Sequence, residues 1–415
     1  MGSYAQLGAQ AQTLRVQHWW TSAGERDAVD ALDQALRAEG ITWISEPVPG
    51  GGGAAAGKVL KTRILAGDPP DAAQIIGQTL GDWSELGLVL PLDDVASDEH
   101  WGQVLLPVVQ QAIEHRGQVI AAPLGVHRIN WVFYSQPLWS QYRLPPPNTW
   151  ANIEAAARTL RAHGIAPLAW SDEPWQLGTV FEAVLLSEAG PALYAELALG
   201  KRWQAWQSPA VRGALQRLRW LRSLSGISGL GGSEPGEPAW TQAALQLYKG
   251  RAGMMLMGDW VEGELIAWGQ EPQRDFGCVA LPGTAGLHLY SIDTLGMLVG
   301  KGSKPIEQQR LAALVARPLA QLAYNRAKGS VPVRVDIDPA QLNPCARESW
   351  RLLNAPGGAS RQLPSLTHRM AASENRKDAI DAALSRFVRS GGESPEQAQQ
   401  RLAAIIRGLS ESTID

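Results

Sequence analysis

Between Leu14 and Ile76 the chain alternates short apolar runs with amphipathic stretches, and this order restricts the fold more than any other feature. "LRVQHWW" reads as a strand. The segment 25–39 then places Val29, Leu32 and Leu36 on one face at helical spacing, and Gly40 ends it. "ITWISEPVP" reads as a second strand, "GKVLKTRILAG" as a helix and "PPDAAQII" as a third strand. Such a β-α-β-α-β series implies a parallel sheet with helices on its faces, whose ligands sit beyond the carboxyl ends of the strands. The Trp19-Trp20 pair and Gln74 fall at such ends.

The rest of the chain continues the α/β character. At 415 residues it exceeds one ordinary core and calls for two domains or a two-lobed body. "VIAAPLGVHRINWVFYS" is apolar enough for consecutive strands that carry the chain from one lobe to another. Thr149 is the expected N-cap of the helix in "LPPPNTWANIEAAARTLRAHGI". "IAPLAWS", "AGMMLMGDW" and "FGCVALPG" read as strands, and mixed helices run to about residue 227. "SGISGLGGSEPGEP" is a flexible loop, and "PIEQQRLAALVARPLAQLAYN" reads as helical. The tail from Ser373 alternates helices and turns. Residues 1–13 lack the basic and apolar regions of a signal peptide and read as a tag or disordered N-terminus. No run of about 18 apolar residues is present for a membrane helix.

Several chemistries lose support on inspection. A formal net charge of -3 gives no electrostatic case for nucleic acid. "GGAAAGKV" has the spacing of a phosphate-binding loop, but Val59 stands where that loop needs a hydroxyl, so it reads as a turn feeding a helix. The seven histidines form no close pair with metal spacing, and no GxSxG is present. Cys278 and Cys345 make no CxxC and leave a choice between one disulfide and two buried thiols. The 17 tryptophans against 4 phenylalanines point to recognition surfaces, since indole adds a wide face and a donor.

Six stretches combine aromatic and polar residues in order: "HWWTSAGE", "DAAQII", "EPAWTQAALQLYKGRAGMMLMGDWVEGE", "YSIDTLGM", "NRAKGSVPVR" and "PSLTHRM". With them the chain, from about Leu14 to about Met370, resembles the extracytoplasmic sugar-binding proteins of ABC importers (family 1 solute-binding proteins). The glucose-type monosaccharide binders are the members it resembles most. The resemblance implies a two-lobed periplasmic-binding-protein fold of type II with an interlobe cleft and each lobe discontinuous. One lobe would comprise 14–125 with 291–343 and the other 126–290 with 344–415. Crossovers would fall near 124–128, near 290–293 and after about 343.

The resemblance assigns Trp19, Trp20 and Glu25 to a first binding loop and Gln74 to an amide contact. Trp240 and Trp260 become the aromatics of the other lobe, and Asp293, Lys328 and His368 the remaining polar contacts. Glu25 and Asp293 would accept from sugar hydroxyls, Lys328 would donate, and His368 would do either. The chemistry suits a pyranose, whose C–H patches want flat indoles and whose hydroxyl rim wants carboxylates, amides and cations. Cys278 and Cys345 match positions that pair in relatives. A periplasmic location, membrane permease subunits of an importer as partners, a monomeric state, and no cofactor, metal or nucleic acid follow in the same way.

Some positions keep a plainer reading. Trp20 packs under the sheet if neighbours on a strand face opposite ways. Asp259 is a turn or cap residue or a ligand, His127 and Arg128 brace the crossover, and Trp170, Asp172 and Trp175 rim the cleft. Close relatives commonly carry a basic residue where this chain has Ile76, so the sugar need not be glucose. An oligosaccharide or a non-sugar ligand on the same fold is one alternative. A glycoside-processing enzyme is another, and it would need two carboxyls about 5–5.5 Å or about 6.5–9.5 Å apart.

Overall fold

Leu14 and Val16 point inward from the first strand, and Val29, Leu32 and Leu36 turn the helix Ala23–Ala38 onto them. This first strand-helix unit sets the pattern in a computed structural model that describes residues 12–200, 202–225 and 239–411. Most of the 1–13 segment, and the loop read at 225–238 apart from Ser225, lie outside the described residues.

Strands β1 (Gln12–His18), β2 (Ile41–Pro47) and β3 (Ala72–Gln74) form the expected parallel set, with β1 between the other two. A small antiparallel pair, β4 (Glu114–His115) and β5 (Gln118–Val119), precedes β6 (Ala122–Arg128) and β7 (Trp131–Ser135). Then come β8 (Ala166–Leu168), β9 (Ala252–Met257), β10 (Phe276–Ala280), β11 (His288–Met297) and β12 (Gln362–Pro364).

The ten-residue β11 organises the first sheet. One edge pairs with β3 near Leu295 and with β12 near Leu289, and the other edge pairs antiparallel with β6. The second sheet runs β10-β7-β9-β8. Ile129 and Asn130 alone separate β6 in one sheet from β7 in the other, so the chain passes between sheets there. The apolar packing is divided. Leu14, Leu32, Val126, Ile292 and Tyr324 belong to one cluster, and Val132, Leu168, Phe181, Leu218 and Phe387 to another. The end of the first sheet near Leu289 and Leu363 joins the second cluster.

Local chemistry fixes the remaining boundaries. The Thr149 side chain accepts from the Asn152 amide at 3.1 Å, as its N-cap position requires. The stretch read as one helical segment from Pro305 is two helices, Pro305–Val315 and Pro318–Lys328. Pro318 lacks an amide proton and starts a new helix, so the apolar periodicity runs through a break. Gly51–Gly53 is a short turn that feeds the helix Ala54–Leu65, with Gly52 and Gly53 at φ 69° and 75°. A disulfide joins Cys278 of β10 to Cys345 of the helix Pro344–Leu353.

Candidate functional site

The first loop is built around one carboxylate. Ser22 caps the helix Ala23–Ala38, and Glu25 completes a capping box. Its Oε2 accepts from the amides of Thr21 at 2.9 Å and Ser22 at 3.1 Å, while Oε1 accepts from Lys328 Nζ at 2.8 Å. Burial works to raise the Glu25 pKa, but Lys328 and the two amides outweigh it and hold the group below the usual carboxylate range. Glu25 therefore shapes the loop first and keeps one lone-pair direction on Oε1 for a ligand. Trp20 is 2% exposed and packs its ring 4.9 Å from His18 and 5.6 Å from Tyr324. Trp19 is less buried, and its amide donates to Gln74 Oε1 at 3.3 Å.

Asp293, buried on β11, is the centre of a second network. Its Oδ1 accepts from Gln74 Nε2 at 2.9 Å, and its Oδ2 accepts from Tyr324 Oη at 3.2 Å and faces His127 Nε2 at 3.1 Å. The other ring nitrogen, Nδ1, is 2.6 Å from Asp259 Oδ1, and Asp259 Oδ2 accepts from the Arg128 amide at 2.8 Å. A histidine with a carboxylate at each nitrogen donates at both ends as an imidazolium. Burial alone would lower the His127 pKa, yet Asp259 and Asp293 lift it to about 9. Burial would likewise raise Asp293, and His127 brings it down to about 2. Asp259 occupies the cap position before the helix Trp260–Ala267 without bonding its amides, so it serves His127 rather than the helix end.

The sign of the resulting pH dependence follows from linkage. A histidine raised from 6.5 to about 9 contributes stability that is complete below about pH 6.5 and lost as pH climbs through 9. The urea midpoint is expected to fall between pH 7 and pH 9.5, by an amount equivalent to roughly 1–3 kcal/mol. On the acid side His18 and His368, lowered by burial to about 4 and about 3, act in the opposite sense, so the alkaline limb is the one to measure. A flat midpoint across it would mean that the His127 ring is neutral.

Facing this network are groups from the second sheet's half. The Trp260 ring lies 5.5 Å from His127, 5.4 Å from His368 and 6.2 Å from Trp175. His368 follows a turn held by the buried Glu182, which accepts from Ser365 Oγ and Thr367 Oγ1, both at 2.6 Å, and from the Leu366 amide at 2.8 Å. The turn is thereby fixed, and His368 Nε2 stands 3.0 Å from Thr179 Oγ1. Kept neutral by burial, His368 has one donor and one acceptor nitrogen.

These groups enclose a gap that is partly open to solvent. Trp19, Trp20, Glu25, Trp240, Trp260, Asp293, Lys328 and His368 line it, and Gln74 stands behind, bonded to Asp293. Ile76 adds an apolar patch to the wall. Of the residues read as rim, Trp175 lines the gap, whereas Trp170 and Asp172 do not. Asp172 accepts from Trp170 Nε1 at 2.8 Å and pairs with Arg222 at 2.6 Å. His127 lines the gap as well as bridging the two carboxylates. Tyr324 and Glu182 are participants that the sequence reading passed over. Glu182 carried a signal, a lone acid within the apolar run "LGTVFEAVLL".

A family profile described as "Bacterial extracellular solute-binding protein" matches residues 23–316. Relatives named "Probable sugar-binding periplasmic protein", from Brucella suis biovar 1 (strain 1330) and Rhizobium meliloti (strain 1021), are each 32% identical over 395 residues. Those matches cover 95% of this chain and 92% and 94% of the relatives. Among solved structures, the bacterial solute receptor AcbH, described as having an exclusive preference for β-D-galactopyranose, matches with a TM-score of 0.79. That match covers 98% of this chain and all of the other at 17% identity, a likeness of fold.

Proposed function

Because the chain belongs to the bacterial extracellular solute-binding proteins, here a periplasmic sugar-binding component of ABC transport, we propose that its gap takes one pyranose, a monosaccharide such as glucose. Members of this family bind and do not catalyse. The observation that carries the reading is the pairing, in one gap, of indole rings with ionised side chains whose remaining hydrogen-bond capacity is small and fixed. Indoles replace water on the C–H faces of a sugar, while Glu25 Oε1, Asp293 Oδ1, Lys328 and His368 meet its hydroxyls. A single ring is favoured over a chain because the space open to the centres of water-sized groups is about 60 Å³.

The proposed lobes are 14–125 with 291–343, and 126–290 with 344–415, closing on the sugar by a hinge through β6 and β11. Two apolar clusters support this division, with Leu14, Leu124 and Ile292 in one and Val132, Leu289 and Leu363 in the other. The helix Pro344–Leu353 faces both ways, with Ala346 and Leu353 in the first cluster and Cys345 beside Trp131 and Phe133. The closed monomer is the form that the permease subunits would receive.

Calorimetric titration with glucose, galactose, mannose, xylose and short oligosaccharides tests the reading. Saturation at one site per chain by a monosaccharide is the expected result. Tighter binding of an oligosaccharide would overturn the single-ring assignment, and sustained turnover of a glycoside panel would overturn binding as the function.

A further inference from the structure

We propose that Arg369 selects the ligand, closing a small side pocket of the sugar gap that receives the carboxylate of an acidic monosaccharide. The inference deepens the sugar reading above and rests on it. Two costs meet at this residue. Its backbone is left-handed, at φ 63°, and of the five non-glycine residues with positive φ among the described residues it alone is buried. That conformation is strained for an L-residue. Its guanidinium is also short of partners. Arg369 is 5% exposed, Nη2 donates to the Gly52 carbonyl at 2.8 Å, and Nε is buried with no hydrogen-bond partner. The nearest carboxylate oxygen in an ion pair, Glu374 Oε1, is 3.9 Å from Nη1, beyond hydrogen-bond reach. A buried cation that is incompletely paired is unfavourable, and backbone strain held by packing, here against Gly77 and Gln78, clusters at ligand sites.

The surroundings say what would complete it. Arg369, Lys61, Glu374, Gln74, Ile76 and Trp19 line a side pocket that shares Trp19 and Ile76 with the main gap. Lys61 Nζ is 3.0 Å from the other Glu374 oxygen, so among the side chains lining the pocket two cations face one carboxylate, with Asp378 and Asp381 farther out on Lys377. The pocket is small, about 20 Å³, too little for a second ring. Gly53 keeps the approach clear. At φ 75°, a Cβ there would stand 2.9 Å from both Arg369 Nη2 and the Trp19 ring. The guanidinium lies 5.6 Å from the centre of the Trp19 ring, and a planar fork of donors of this kind matches a carboxylate in shape and charge. With Ile76 apolar, Arg369 is the buried cation on this side of the gap.

Calorimetric titrations of the protein with glucose, galactose, glucuronate and galacturonate, repeated on Arg369→Gln and Arg369→Lys, test the inference. For at least one pair, the wild type is expected to bind the uronate at least tenfold more tightly than the parent hexose. Arg369→Gln should bring that ratio to about one, and Arg369→Lys should give an intermediate ratio. Hexose binding without a preference for either acid would overturn this inference and leave the sugar reading standing. Equal weakening of acid and neutral sugars in the variants would make Arg369 a brace for Gly52 and Trp19 and would also overturn it. No binding of either class by the wild type would overturn both readings.

Discussion

Asp293→Ala is expected to lower sugar affinity by at least tenfold and to lower stability as well, because one carboxylate holds three partners and keeps a free direction for a fourth. Gln74, His127 and Tyr324 all converge on it, and each would lose an acceptor in a buried setting. A hydrogen bond from a sugar hydroxyl to an ionised acceptor contributes roughly 1.5–3 kcal/mol, or about 10- to 150-fold in affinity. Stranded donors cost roughly 1–3 kcal/mol each, although His127 keeps Asp259 as a partner, which lets the variant fold. Asp293→Asn separates the two effects. It keeps the shape and one acceptor but removes the charge that, with Asp259, holds the His127 imidazolium, so the alkaline fall in the urea midpoint should move to lower pH. Calorimetry and urea melts on both variants make the check. Unchanged titrations in the alanine variant would remove Asp293 from the site.

The strand-helix alternation at the N-terminus was legible because it is local, with each signal complete within about ten residues. The Thr149 cap is legible for the same reason. The break at Pro318 was equally local, but a continuing apolar periodicity masked it. The His127 network is of another kind. His127 meets Asp259 and Asp293 across 132 and 166 residues of chain, and no periodicity encodes such a meeting. The residues of the site came instead from matching six short stretches to a family, and that match carries residue types, not commitments. Glu25 reads as a free acceptor in sequence, whereas in the fold three donors already occupy it. Arg369 was hidden more thoroughly, since a left-handed backbone at a non-glycine residue leaves no trace in composition.

Trp260→Ala is expected to cost at least tenfold in sugar affinity while moving the unfolding midpoint much less than removal of the fully packed Trp20 would. The difference lies in where each ring spends its surface. Trp20 fills the core beneath β1, where deleting an indole leaves a cavity worth roughly 3–5 kcal/mol. Trp260 is only partly buried and turns part of its surface to the gap between His127, Trp175 and His368. Its ring lies against Gly258, where a Cβ would fall 2.2 Å from the indole, so a larger residue there would displace the ring. Flat apolar surface presented in this way is matched by the C–H face of a pyranose, and truncating such an anchor commonly costs about 2 kcal/mol or more. Trp260→Phe keeps a face of reduced area and should recover part of the affinity, whereas Trp260→Leu, apolar but not flat, should recover less. If alanine, leucine and phenylalanine all bind the sugar as the wild type does, the indole is packing against His127 and His368 alone, and the ligand's apolar face lies against Trp19 or Trp240.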